Sequence, residues 1–229
     1  MLIEGRFNGP SESGNGGYSA GVVARALAPA PDLAARVTLR LPPPLDTPLQ
    51  AVPSAGSSQL LVYAGERLVA EAEPIGLDQL GEPVPPVPYP QAVAVAQDYP
   101  GFTEHPFPRC YVCGPQRAEG DGLRIFPGPL PDGGTAAPWH VPPDVSELTV
   151  WAALDCPGGW SILAGSGRPY VLGRIAARVN AIPAPGSDCL VTGDVIEAAG
   201  RKAEVRSALY ASDAAGEPLA YARATWIAI

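Results

Sequence analysis

The chain repeats itself. Gly16-Gly17-Tyr18-Ser19 returns as Gly158-Gly159-Trp160-Ser161, and Ala34-Ala35-Arg36-Val37 returns as Ala176-Ala177-Arg178-Val179, both at an offset of 142 residues. A third match comes in the same order: Gly65-Glu66-Arg67-Leu68 with Gly216-Glu217-Pro218-Leu219, at an offset of 151. The second copy is therefore longer between its later segments. One short match is expected by chance in an Ala- and Gly-rich chain, but an ordered series at one offset is the signature of a supersecondary unit used twice.

Each copy has the same coarse order. A Gly-Gly turn opens an apolar stretch, Tyr18 to Ala28 or Trp160 to Ala164. In the first copy Val22, Val23, Ala26 and Leu27 fall on one helical face, and Pro29 and Pro31 end it. Strand-like runs follow. They are Arg36–Leu41, Leu49–Val52, Gln59–Tyr63 and Leu68–Glu73 in the first copy, and Val171–Ala181, Cys189–Ala198, Arg201–Ala211 and Leu219–Ile229 in the second. The Ala-Gly-Glu of residues 64–66 and the Ala214-Ala215-Gly216-Glu217 run read as hairpin turns. A helix followed by a meander of antiparallel strands predicts an α+β unit with the helix packed on one face of the sheet. The expected organisation is a repeat over residues 1–74, a Pro-rich segment over 75–108, and a second repeat over 109–229. The middle segment, with Pro83-Val84-Pro85-Pro86-Val87-Pro88-Tyr89-Pro90, reads as an extended strap. Tyr89, Tyr99, Phe102 and Phe107 are its candidate apolar anchors.

Composition narrows the function classes. The 29 prolines and 26 glycines would suit low complexity, but 46% hydrophobic and only 17% charged residues are those of a folded chain. A net charge of −8, with one lysine (Lys202) and no basic run, argues against nucleic-acid binding. No apolar stretch approaches the ~20 residues that span a bilayer, so no membrane role is expected. Residues 1–6 lack a secretory pattern, and four cysteines in a chain of this length make no disulfide framework. A cytoplasmic location is the expectation.

The order of these motifs resembles the double-hotdog acyl-CoA thioesterases, which include the bacterial thioesterase II type. The resemblance rests on Asn15-Gly16-Gly17-Tyr18-Ser19-Ala20-Gly21-Val22-Val23, on Arg36-Val37-Thr38-Leu39-Arg40-Leu41-Pro42, and on Trp151-Ala152-Ala153-Leu154-Asp155. Cys110-Tyr111-Val112-Cys113-Gly114-Pro115 with Gly122-Leu123-Arg124-Ile125-Phe126 is similar to the opening of single-hotdog, phenylacetate-type thioesterase-like proteins. It implies a double-hotdog fold, hydrolysis of acyl-CoA or a related acyl-thioester, no cofactor, and a chain that can form a homodimer.

The residues offer the parts such a reaction needs. A helix N-terminus presents unpaired N–H groups and partial positive charge to a developing oxyanion, and glycine lets a carbonyl come close. Gly158-Gly159 and Gly16-Gly17 are the two candidates, each equally readable as a tight packing turn. Asp155, which the resemblance makes the catalytic aspartate, is placed to act on water as general base. It reads equally as a helix N-cap ahead of Pro157. At the repeat offset its counterpart is Ser13, so one working site per chain is expected. The thioesterase II type pairs its aspartate with a hydroxyl residue and a glutamine; Thr225 and Asn180 are the nearest stand-ins here. Asn15, Gly16, Gly17, Tyr18 and Trp160 are expected to bind substrate. A non-catalytic protein that binds acyl-thioesters or small hydrophobic ligands is the alternative, and a scaffold using the Cys-x-x-Cys turn and the strap is a third. Cys110-x-x-Cys113 has no second close-spaced pair. His105, Cys156 or His140 would have to complete a zinc set, and the expectation is a turn with two partly buried thiols and no metal. Arg168, Arg174, Arg178 and Arg201 are candidates to meet CoA phosphates.

Overall fold

The computed structural model describes residues 1–131, 133–213 and 216–229. Ala214 and Ala215 of the second expected hairpin turn lie outside the described residues. The first helix, α1 (Gly16–Leu27), is followed by β1 (Leu33–Leu39), β2 (Gln50–Pro53), β3 (Leu60–Ala64) and β4 (Arg67–Gly76). Then come α2 (Tyr89–Val95), the short β5 (Gly128–Pro129), β6 (Thr135–His140), α3 (Glu147–Ala153) and α4 (Asp155–Leu163). Four long strands end the chain: β7 (Tyr170–Val179), β8 (Asp188–Ala199), β9 (Lys202–Ala211) and β10 (Ala220–Ala228).

All ten strands form one antiparallel sheet in the order β2-β3-β4-β1-β7-β10-β9-β8-β6-β5. Its centre is the join of the two copies. There Ala35 pairs with Ala177, its own counterpart at the 142-residue offset, and Arg36 pairs with Ala176. Outward from this join, β4, β3, β2 on one side mirror β10, β9, β8 on the other, so the sequence repeat is a two-fold arrangement of strands.

α1, α3 and α4 lie on one face, α1 over β1, β4 and β7, and α4 over β8 and β9. α1 starts where Asn15 caps it, its Oδ1 accepting from the Tyr18 N–H at 2.9 Å. It stops where Ala28 enters the left-handed region at φ 47° ahead of Pro29. α3 is opened by a reciprocal cap between Ser146 and Thr149. α3 and α4 would be one helix but for Pro157. Pro157 has no N–H for the Ala153 carbonyl, and the chain turns at Leu154 before α4 begins at Asp155.

The Pro-rich segment is not extended throughout. Tyr89–Val95 is helical, with Pro90 in its first turn where a missing N–H costs nothing. The segment runs over the sheet face opposite the helices. Leu80 packs on Ala34, Ile75 and Ala176; Val84 on Ala208 and Tyr210; Ala92 on Ala136 and Leu190. The Tyr210 hydroxyl donates to the Val84 carbonyl at 2.6 Å. Tyr99 is buried and donates to the Cys113 carbonyl at 3.0 Å, whereas Phe102 is half exposed.

Candidate active site

α1 and α3 cross at close range because small residues face each other. A Cβ at Gly17 would lie 2.5 Å from the Trp151 carbonyl oxygen and 2.7 Å from the Asp155 Cβ, and one at Gly21 would lie 2.9 Å from Trp151. This approach brings the N-terminus of α1 onto the side chain of Asp155. Asp155 Oδ2 accepts from the Gly17 N–H at 3.0 Å and from Asn15 Nδ2 at 2.9 Å. Asn15 thus uses its oxygen to cap its own helix and its amide nitrogen to hold the carboxylate of the other copy. Asp155 Oδ1 has no hydrogen-bond partner among the described residues. Burial pushes the carboxyl up to about 7, against the lowering effect of the Gly17 N–H and the Asn15 amide.

The carboxylate lies at a cavity of about 530 Å³, a size typical of small-molecule sites. The walls are mainly apolar and include Leu39, Phe107, Trp160, Leu172 and Trp226. Gly16 also lines it, and the Gly16 N–H carries no hydrogen bond among the described residues. The Gly17 and Tyr18 N–H groups are already committed, to Asp155 and Asn15. Gly16 therefore keeps an open donor at this helix start, on a residue that lines the cavity.

Three cysteines share the same wall. Cys110, Cys113 and Cys156 are all buried, and their sulfurs lie within 4.8 Å of one another. His105 Nε2 is 3.4 Å from the Cys113 sulfur, and Trp160 Nε1 donates to that sulfur at 3.5 Å. Burial pushes the Cys156 thiol well up, while hydrogen bonds from the Cys113 and Cys156 thiols, and then from the backbone, lower that of Cys110.

The structure brings Asp155, Asn15, Gly16, Gly17 and Trp160 together and leaves the other expected residues elsewhere. Gly158 and Gly159 lie inside α4 rather than at its start, because α4 begins at Asp155. Their bare Cα positions face Val205 and the Trp226 ring, within 2.7 Å and 2.5 Å of an added Cβ. That corrects the expectation of an oxyanion hole there: the glycines serve helix–sheet packing. Asn180 bonds the Pro218 carbonyl and Arg178, away from the cavity. Thr225 sits in a separate hollow with Arg36, Arg174 and Arg223, while its neighbour Trp226 lines the cavity. Strand alternation separates the two. Tyr18 stacks on Phe7 at 3.8 Å outside the cavity lining. His140 is exposed and pairs with Asp188. Of the arginines, Arg174 and Arg178 bond Thr38 and the Pro31 carbonyl. The cavity-lining arginine is Arg40, paired with Glu71 at 2.6 Å. The strand run Arg36–Leu41 sets Arg40 between Leu39 and Leu41, on the face opposite theirs, but β1 ends at Leu39 and the alternation ends with it.

No family model matches the chain, and no curated protein matches it in sequence. Solved structures do match over nearly its whole length. A conserved protein of unknown function with a hotdog fold from Alicyclobacillus acidocaldarius superposes with a TM-score of 0.62 at 14% identity, covering 99% of this chain and 91% of that one. A candidate thioesterase II from Thermobifida fusca gives 0.61 at 14% identity, covering 100% and 91%. The tesB protein of Mycobacterium avium subspecies paratuberculosis gives 0.58 at 11%, covering 96% and 89%. With one ten-stranded sheet among the described residues, the long helices on one face and two copies joined through β1 and β7, this chain has the double-hotdog fold.

Proposed function

We propose that the chain hydrolyses acyl-thioesters, acyl-CoA among them, with Asp155 as general base and the N-terminus of α1 as oxyanion site. The observation that carries this reading is that Asp155, whose Oδ1 has no partner among the described residues, and Gly16, whose N–H has none, line the same cavity. A water hydrogen-bonded to Asp155 Oδ1 attacks the thioester carbonyl. The proton passes to Asp155 as the C–O bond forms, and the Gly16 N–H bonds the carbonyl oxygen as it gains charge. When the tetrahedral intermediate collapses, the C–S bond breaks and the leaving thiolate takes the proton back. Asn15 and Gly17 hold the other carboxylate oxygen, so the base is fixed in orientation. The apolar walls suit the acyl chain, and Arg40 stands where a CoA phosphate could exchange it from Glu71. The packing of Gly158-Gly159 on Val205 and Trp226 supports a single site per chain.

Release of free CoA from a panel of acyl-CoA substrates tests the reading. Asn15→Ala is expected to lower kcat about tenfold or more, the value of one hydrogen bond to a charged group, and to lower stability by about 1 kcal/mol through loss of the cap. Asp155 Oδ1 is sheltered from solvent, which favours a second reading, ligand binding without chemistry. Saturable binding of acyl-CoA with no CoA release would establish that second reading instead.

A further inference from the structure

We infer that Cys110, Cys113 and Cys156 are the sulfur ligands of a thiophilic divalent metal ion, zinc by the chemistry of the donor set, with the fourth ligand position open to the cavity. The inference is independent of the hydrolase reading. In the sequence only Cys110 and Cys113 are neighbours; the fold adds the third sulfur from α4. Three thiolates bound to zinc at about 2.3 Å sit about 3.8 Å apart in a tetrahedron. Here the Cys110 and Cys156 sulfurs are 3.9 Å apart, and all three lie within 4.8 Å. Closing on an ion asks the sulfur separations to shorten by about 1 Å at most.

The turn that carries the pair is built to present sulfur. The Gly114 N–H donates to the Cys110 carbonyl at 2.9 Å, and a Cβ at Gly114 would lie 2.5 Å from the Cys110 nitrogen and oxygen. Only glycine closes the turn so tightly. Asn15 Nδ2 approaches the Cys110 sulfur at 3.8 Å, and Trp160 Nε1 donates to Cys113 at 3.5 Å. His105 adds a further donor rather than a fourth ligand. Its Nδ1 accepts from the Phe107 N–H at 2.9 Å, so the neutral ring carries its proton on Nε2, which faces the Cys113 sulfur at 3.4 Å. No Lys or Arg nitrogen bonds any of the three sulfurs among the described residues, so a cation bound there meets no competing positive charge. A soft ion fits three sulfurs better than a hard one. The ion would tie the end of the Pro-rich strap to α4 immediately beside Asp155.

Metal analysis of protein purified without chelator, followed by cobalt(II) titration of the metal-stripped protein, tests the inference. About one equivalent of zinc is expected, with thiolate-to-cobalt charge-transfer absorption that saturates at one equivalent. Cys113→Ser and Cys156→Ser should lose this absorption, and Cys189→Ser, which removes the cysteine outside the cluster, should keep it. Should a cluster variant fail to fold, the cobalt titration of the wild type decides by itself. Folded protein with all four thiols reactive after denaturation, no bound metal and no cobalt absorption would overturn the inference. So would a count two thiols short, which would make the cluster a disulfide. Activity enters none of these readouts, so the metal site and the hydrolase reading stand or fall separately.

Discussion

Asp155→Asn is expected to reduce acyl-CoA turnover by about 10²-fold or more, the usual share of a general base, while the melting temperature stays level or rises. The two effects separate because of what the substitution keeps. The amide oxygen of an asparagine can still accept from Asn15 Nδ2 and the Gly17 N–H, the bonds that seat Asp155 at 2.9 and 3.0 Å. Its NH₂ takes the place of Oδ1, an atom without a partner in the native chain as well. What disappears is a buried negative charge, which is costly in so dry a place and which the reaction requires. Asp155→Ala makes the contrast: it leaves two buried donors unpaired, at about 1–3 kcal/mol each, so both stability and turnover should fall. Steady-state kinetics and thermal melts on the two variants check this. If Asp155→Asn and Asp155→Ala lose stability alike while the asparagine variant keeps its turnover, the carboxylate is a structural cap and not a base.

The features legible in the sequence are those set by local pattern. Apolar alternation marks six of the eight strands of the two repeats within two residues at each end, with β1 and β4 each three residues longer at one end, because a half-buried strand shows its period in its own residues. β1 begins at Leu33 rather than Arg36 since Ala34 and Ala35 carry little hydropathy signal while being fully buried. The repeat went further, because the counterpart residues Ala35 and Ala177 turned out to face each other at the join. What stayed hidden depends on one residue's backbone or on distant chain segments. The two Gly-Gly pairs look equivalent in sequence, yet Asn15 starts a helix immediately before one, whereas Pro157 shifts the other into the interior of α4. The same shift puts Asp155 against the opposite copy's helix start, a contact between residues 138 positions apart. β6 was missed because Pro138 interrupts its alternation; it survives as a strand by pairing with β8 beside the two-residue β5. The third sulfur joins Cys110 from 46 residues away, a distance over which no sequence spacing speaks.

The crossing of α1 and α3 should tolerate little added volume. Gly17→Ala is expected to cost about 3 kcal/mol, at the upper end for overpacking, and to lower the melting temperature by roughly 6–12 °C for a chain of this size. The added methyl would lie 2.5 Å from the Trp151 carbonyl oxygen, 2.7 Å from the Asp155 Cβ and 3.2 Å from the Ala152 Cα. Most of these are backbone atoms, so no side-chain rotation makes room, and α1 must move away from α3. Helix propensity alone would favour alanine by about 1 kcal/mol, so a loss of stability measures the crossing and not the helix. Gly216→Ala is the control, since nothing lies within 4 Å of its added Cβ and its φ is unconstrained, and it should change stability by less than about 0.5 kcal/mol. The displacement also stretches the Gly17 N–H from Asp155, so Gly17→Ala should lose turnover even at temperatures where it remains folded. A variant with the native melting temperature would mean that the helices are free to separate, and the close crossing could then not be what holds the carboxylate at the α1 terminus.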